Sequence, residues 1–387
     1  MNLFFEVICL FLYITNHTKL FRGYIYLKKR KMGIAISLLL AAGTLLGACG
    51  KANDNKGNEA TKGGEKGKAF SVGMVTDIGG VDDKSFNQSS WEGLQKFGKE
   101  NGLKKGKGGY DYLQSTSDAD YVTNLNTLSR QGYDLVFGIG FLMQGAVDEV
   151  AKQQKDTKFA IIDSEVKEPN VASVLFKEQE AGFLAGVAAA LTTKSDHIGF
   201  IGGMENAVIE RFQAGYLAGV KATKPSVKVD VQYAGAFDKS EAGQSIASKM
   251  YSTGADVIFH AAGGTGNGLF KEATDRKAKE PSKGIWAIGV DRDQSDMGPD
   301  VVLTSALKRV DVAVQDTAKK AQNGDFPGGQ NILYGLAEDG VGLSPINAKA
   351  ANKDAIDKAV SDWTDKIKSG SLKVPGTLDE LKTFSPK

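Results

Sequence analysis

From Ala69 onward, short apolar runs rich in β-branched residues alternate with segments of helical period, and that alternation leaves few folds open. Strands are expected at Phe70–Thr76, Tyr110–Gln114, Asp134–Ile139, Lys158–Ile162, Val171–Leu175, His197–Ile201, Lys228–Tyr233, Asp256–His260, Gly284–Val290 and Val301–Ala306. Between them Tyr121, Leu125 and Leu128 line one helix face, and Ile209, Phe212, Tyr216 and Val220 another. Ile356, Val360, Trp363 and Ile367 line a third near the end of the chain. Runs such as Leu135-Val136-Phe137 and Val257-Ile258-Phe259 are apolar throughout, which predicts strands covered on both faces, hence parallel, doubly wound α/β sheets. A total of 47 glycines against 8 prolines suits the many tight strand-to-helix turns of such a fold. No short tandem repeat stands out, but two βα series run from about 70 to 176 and from about 197 to 305. A helix at Val310–Gln322 and two strand-like runs, Leu333–Leu336 and Gly340–Leu343, follow them. The expected division is a first lobe of 69–175 plus 306–330 and a second of 176–305 plus 331–387, with hinge strands near 175, 305 and 330.

The N-terminal part reads as an address. Lys28, Lys29, Arg30 and Lys31 precede an uncharged apolar run from Met32 to Ala48 that ends in Leu46-Gly47-Ala48-Cys49. That ending resembles the lipobox of bacterial lipoproteins, which implies cleavage of a 1–48 leader, lipidation of Cys49 by acyl chains such as palmitate, and an extracytoplasmic protein held on the membrane surface. The leader is complete without residues 1–26, so translation is expected to begin at Leu27 and 1–26 to be a misassigned extension. Residues 49–68 are mostly Lys, Gly, Asn and Glu and read as a flexible spacer. The chain's net charge of +2 belongs to its leader, because the segment from Cys49 onward carries 42 bases against 45 acids. No basic stripe interleaved with aromatics suggests nucleic acid.

Catalytic chemistry finds little support. The only cysteines are Cys9 and Cys49, and His17, His197 and His260 stand apart without metal-ligand spacing. Gly243-Gln244-Ser245-Ile246-Ala247 lacks the last glycine of a nucleophile elbow, and the adjacent Asp82-Asp83 reads as solvated or capping. Gly263-Gly264-Thr265-Gly266-Asn267-Gly268 has neither the dinucleotide spacing, since Leu269 falls where the third glycine belongs, nor the Lys-Ser/Thr of a P-loop. No cofactor is expected. The informative residues lie just beyond the expected strands, where open α/β sheets bind ligands. They are Asp77, Gly138-Ile139-Gly140-Phe141, Asp163-Ser164, Gly202-Gly203-Met204, Gly235-Ala236-Phe237-Asp238, Ala261-Ala262-Gly263-Gly264 and Asp291. Taken singly, each reads first as a turn glycine, a helix cap or a core aromatic. Recurrence at strand ends in both series is what points to a ligand.

The run TDIGGVDDKSFNQSSWEGL, Thr76 to Leu94, resembles the N-terminal signature of the basic membrane protein family, purine-nucleoside-binding lipoproteins of ABC importers. GIGF (138–141), the strand end at Asp163, ERFQAGYLAGV (210–220), GAFD (235–238), HAAGGTGNG (260–268), GVDRDQ (289–294) and TSALKRVD (304–311) are similar to that family's later motifs, in order. The resemblance implies a type I periplasmic-binding-protein fold closing two lobes over a nucleoside, with a membrane permease and an ATPase as partners; the protein is expected to be a monomer. Phe86 and Phe237 would sandwich the base, and Asp77, Asn87 and Asp163 would meet its polar edge. Asp291 would take the ribose hydroxyls, Gly263 would let backbone approach the ligand, and Lys308 would bond the sugar and steady Asp291. Other readings stay open: Phe86 and Phe237 as core plugs, Asn87 as a cap, Lys308 as an exposed charge, Phe212 as a core-face residue. The whole chain could alternatively be a sugar receptor of the same fold, a nucleoside-processing enzyme, or a surface adhesin or antigen.

Overall fold

The computed structural model describes residues 70–386. The leader, Cys49, the proposed start at Leu27 and the spacer therefore lie outside the described residues. Among the described residues, two six-stranded sheets carry the fold. The first contains β1 (Val72–Thr76), β2 (Tyr110–Gln114), β3 (Leu135–Ile139), β4 (Lys158–Ile162), β5 (Val171–Phe176) and β11 (Asn331–Tyr334), in the order β11-β5-β4-β3-β1-β2. The second contains β6 (His197–Gly202), β7 (Lys228–Tyr233), β8 (Val257–Ala261), β9 (Trp286–Asp291), β10 (Val302–Lys308) and β12 (Val341–Leu343), in the order β12-β10-β9-β8-β6-β7. Every pairing is parallel except β10 with β12. All ten expected strands are present. Their legibility follows from burial: β1, β3, β6 and β8 are buried at every residue, so their composition is apolar without alternation.

Helices flank each sheet in pairs. In the first lobe α1 (Phe86–Glu100) packs on α8 (Val310–Asn323), and α2 (Tyr121–Arg130) on α3 (Gln144–Gln153). In the second, α4 (Glu178–Thr192) packs on α5 (Ala207–Thr223), and α6 (Ser240–Ser252) on α7 (Asn267–Lys279). The terminal helices α9 (Lys353–Lys368) and α10 (Leu378–Thr383) lie against α4 and α5 respectively. The chain passes between lobes after β5, after β10 and between β11 and β12. These crossings are tied together: Lys177 N–H donates to the Tyr334 carbonyl at 2.9 Å, Arg309 N–H to the Gly340 carbonyl at 2.8 Å, and Leu336 N–H to Glu180 Oε2 at 2.7 Å. Because β10 runs to Lys308 and β11 pairs with β5, the exchanges fall a few residues later than the expected boundaries at 305 and 330.

The α4–α5 contact rests on a sequence repetition that a search for tandem repeats misses. Ala181-Gly182-Phe183-Leu184-Ala185-Gly186-Val187 on α4 returns as Ala214-Gly215-Tyr216-Leu217-Ala218-Gly219-Val220 on α5. The four glycines let the backbones touch. A Cβ on Gly186 would stand 2.1 Å from the Tyr216 carbonyl oxygen, and one on Gly219 would stand 2.0 Å from that of Phe183. Both neighbours are backbone, so neither can turn aside. Gly186→Ala is expected to cost about 2–3 kcal/mol by forcing the helices apart. Reversible thermal unfolding checks this, and a variant as stable as the parent would mean the helices separate at little cost.

Candidate ligand-binding site

The carboxyl ends of both sets of strands face a common cleft. Within it lies a cavity walled by residues of both lobes. All eight residues singled out from the sequence line it: Asp77, Phe86, Asn87 and Asp163 from the first lobe, and Phe237, Gly263, Asp291 and Lys308 from the second. Phe141 also lines it and meets Phe237 edge-to-face, with ring centroids 6.1 Å apart. Phe212 is buried and packs edge-to-face on Phe259, as a core residue does, and it also contributes to the cavity wall.

Asp163 and Asp291 occupy equivalent places, at the ends of β4 and β9, the third strand in the order of each sheet. Both have left-handed backbone, with φ of 68° and 65°. Non-glycine residues in that region are uncommon, and Asp tolerates it better than most. Such strain persists where the surroundings enforce it, often at binding sites.

Asn87 and Asp83 organise the start of α1. Asp83 Oδ1 accepts from the Ser85 and Gln88 N–H groups at 2.8 and 3.1 Å, and its Oδ2 accepts from Asn87 N–H at 2.9 Å. Asp83 therefore caps the helix, as the sequence suggested, while its neighbour Asp82 is exposed. Asn87 Nδ2 donates to Asp77 Oδ1 at 2.7 Å and to Asp83 Oδ2 at 3.0 Å. Asn87 Oδ1 and Asp163 Oδ1 are buried acceptors with no partner. A ligand that offers N–H or O–H groups would satisfy them.

Lys308 departs from its expected partner. Its ammonium pairs with Asp163 and lies 3.1 Å from Glu178 Oε1, with Phe86 and Phe176 ring centroids 5.1 Å away. It is 1% exposed, which removes the exposed-charge reading. Asp291 instead accepts from the Ser85 hydroxyl of the opposite lobe. The reason is geometric: Asp163 and Asp291 end equivalent strands, and the residue count along the chain does not tell which of them a lysine at the end of β10 will reach. Burial works against the lysine's charge, but Asp163, Glu178 and Asp291 outweigh it and raise its pKa. Residues that sequence reading missed here are Ser85, Glu178 and Arg211. Glu178 is fully buried and is held between Lys308 and Arg211. It carried only one faint signal, an acidic residue opening an otherwise apolar helix.

The family model of PnrA-like ABC transporter substrate-binding proteins, Bmp, matches residues 70–377. The chain belongs to that family. Over 359 residues it is 52% identical to a CD4+ T-cell-stimulating antigen of Listeria monocytogenes, covering 90% of this chain and 99% of the relative. Over 360 residues it is 44% identical to the ABC transporter nucleoside-binding protein BmpA of Lactococcus lactis subsp. cremoris, with the same coverage. A solved solute-binding protein of an ABC transporter system from Aeropyrum pernix K1 superposes with a TM-score of 0.69 at 29% identity, covering 81% of this chain and 96% of that one. The fold is thus that of the periplasmic-binding-protein type of solute-binding protein. This Bmp-family chain is a substrate-binding protein of an ABC transporter. Among the described residues no helix is long and apolar enough to cross a membrane.

Burial leaves its mark on the site's acids. It pushes Asp291 up to about 7, against the pull of Lys308 and Ser85, and Asp77 up to about 6, against bonds from Gly79 and Asn87. A carboxyl whose value is higher folded than unfolded favours the fold fully below the ordinary carboxylate range and loses that contribution as pH rises through its folded value. Asp291→Asn removes one such loss. The melting temperature of the variant should therefore gain on the parent by about 2 °C or more between about pH 5.5 and pH 8.5. A difference that stays constant with pH would mean that Asp291 ionises without hindrance.

Proposed function

We propose that this chain is a monomeric lipoprotein, anchored through Cys49 on the extracytoplasmic face of the membrane, that captures nucleosides, purines preferred, for an ABC permease and its ATPase, without catalysing a reaction. The observation that carries the nucleoside reading is the cavity lining: phenyl rings from both lobes around a set of buried acceptors. Base stacking on an aromatic ring is worth about 1–3 kcal/mol, which makes Phe86 and Phe237 the natural flanks of a planar base. Asn87 Oδ1 and Asp163 Oδ1 are acceptors for base N–H groups, and Asp291 for ribose hydroxyls. Lys308 serves the site through Asp163 rather than Asp291, since it pairs with the former. The name of the Lactococcus relative adds support, and the purine preference and transporter partnership come from the family.

Calorimetry on the full-length protein with inosine, guanosine, adenosine, ribose and arabinose tests the reading. Binding of a nucleoside at micromolar affinity or better is expected, and a preference for a free sugar would replace it with the sugar-receptor reading. Phe86→Ala and Asp291→Ala should each weaken nucleoside binding at least tenfold, about 1.4 kcal/mol. Unchanged affinity in both would move the site elsewhere. Release of free base during the titration would make the protein an enzyme.

The anchor has its own test. Cys49→Ser should abolish incorporation of labelled palmitate and leave the 1–48 leader uncleaved. A variant that still incorporates the label would rule out lipid at this position.

A further inference from the structure

Asp83, Lys84 and Ser85 are the last three residues of the loop that joins β1 to α1 in the first lobe, and each is bonded by the second. Asn267 Nδ2, at the start of α7, donates to the Asp83 carbonyl at 3.2 Å. Gln294 Nε2 donates to the Lys84 carbonyl at 2.9 Å. The Ser85 hydroxyl donates to Asp291. None of Ser85, Asn267 and Gln294 is among the described residues that line the cavity.

Each partner is committed to this contact by its surroundings. Ser85 stands at the N-cap of α1, where a serine hydroxyl ordinarily accepts from the helix's own N–H groups, yet it makes no such bond. Asp83 does the capping and frees the serine to reach across. Lys84 has φ of 62°, a strained conformation for a lysine. Gln294 is fully buried with its amide fixed at both ends. Its Oε1 accepts from Val290 N–H at 2.8 Å and from His260 Nε2 at 3.1 Å, which leaves its NH₂ to face the other lobe. His260 must then carry its proton on Nε2, and burial keeps the ring neutral by lowering its pKa to about 4. A Cβ on Gly266 would stand 2.0 Å from His260 Nδ1, so this glycine of the Gly263–Gly268 run makes room for the histidine that orients Gln294.

We propose that Asp83-Lys84-Ser85 is a latch, and that Ser85, Asn267 and Gln294 are positioning residues that hold the lobes shut and set the lifetime of the bound state without touching the ligand. The glycine-rich run, which fits no phosphate-binding pattern, supplies Asn267 to the second lobe's side of that latch, beside Asp291 and Gln294. This inference does not rest on the ligand being a nucleoside.

The test uses the full-length protein in detergent with a spin label on each lobe, so that the distance distribution reports closure. The Ser85→Ala, Asn267→Ala double variant should lose most of the short-distance population found in the parent, and restoring the hydroxyl as Ser85→Thr should recover part of it. Dissociation of inosine, guanosine and adenosine should accelerate by one common factor, about threefold to tenfold per hydrogen bond removed. Identical distance distributions in parent and double variant, including the case where neither shows a short distance, would overturn the latch. So would recovery that fails in Ser85→Thr, or acceleration that differs from one nucleoside to the next. If the parent binds no nucleoside, the functional reading fails while the distance measurement still decides the latch.

Discussion

A lysine ammonium removed from water is the constraint around which this cleft is arranged. Leaving Lys308 charged at 1% exposure is tolerable only because carboxylates meet it from two directions, Asp163 from the first lobe and Glu178 from the crossing that follows β5. The rings of Phe86 and Phe176 also lie against it. Arg211 in turn balances Glu178, so a chain of alternating charges runs from a strand end of one lobe, through two crossings, to a helix of the other. Removing one member of such a chain strands a buried charge, which is costlier than never having had the pair. Any lobe motion that parted Lys308 from these carboxylates would strand a buried charge.

The two sheets repeat one plan, and the site exploits the repetition. Equivalent strand ends present Asp163 and Asp291, both in the same left-handed conformation, on opposite sides of the cleft. One is neutralised by Lys308, while the other keeps only a serine hydroxyl as its close partner across the cleft. The remaining acids, Asp77 and Asp83, are occupied by Asn87 and by helix N–H groups. A lining so rich in acceptors, with a single cation already engaged, suits a neutral guest that brings its own donors better than an anionic one.

Much of this was legible in the chain because parallel strands buried on both faces advertise themselves as apolar runs, and because strand ends must carry small or acidic residues to serve a cleft. Whereas Phe86 comes only with the family resemblance of the Thr76–Leu94 run, Phe237 and the strand-end aspartates could be found by position alone. Pairing could not. Whether Lys308 would choose Asp163 or Asp291 depends on which of two equivalent strand ends lies nearer, a fact of tertiary placement. Ser85 gave no sign that its hydroxyl would cross the cleft instead of capping its own helix, since that choice follows from Asp83 having taken the cap. The paired AGFLAGV and AGYLAGV segments were visible, but a search for apolar stripes weighs large side chains and overlooks glycines whose function is to be thin.

Affinity in a molecule of this kind is distributed over three sets of residues with different duties. Cavity residues set which guest is held, and neither lobe alone offers both Phe86 and Phe237, so their contribution is complete only when the lobes meet. Latch residues act on how long the lobes stay together, and their effect should multiply affinity for every guest by the same factor, because they bias an equilibrium between lobe arrangements. Hinge residues determine what arrangements exist at all. Selectivity can therefore change through the cavity while residence time changes through Asp83-Lys84-Ser85, with no need to alter both together. The exception is Asp291, which lines the cavity and also receives Ser85. A substitution there touches both duties, so its effect on binding will exceed the value of any single ligand hydrogen bond.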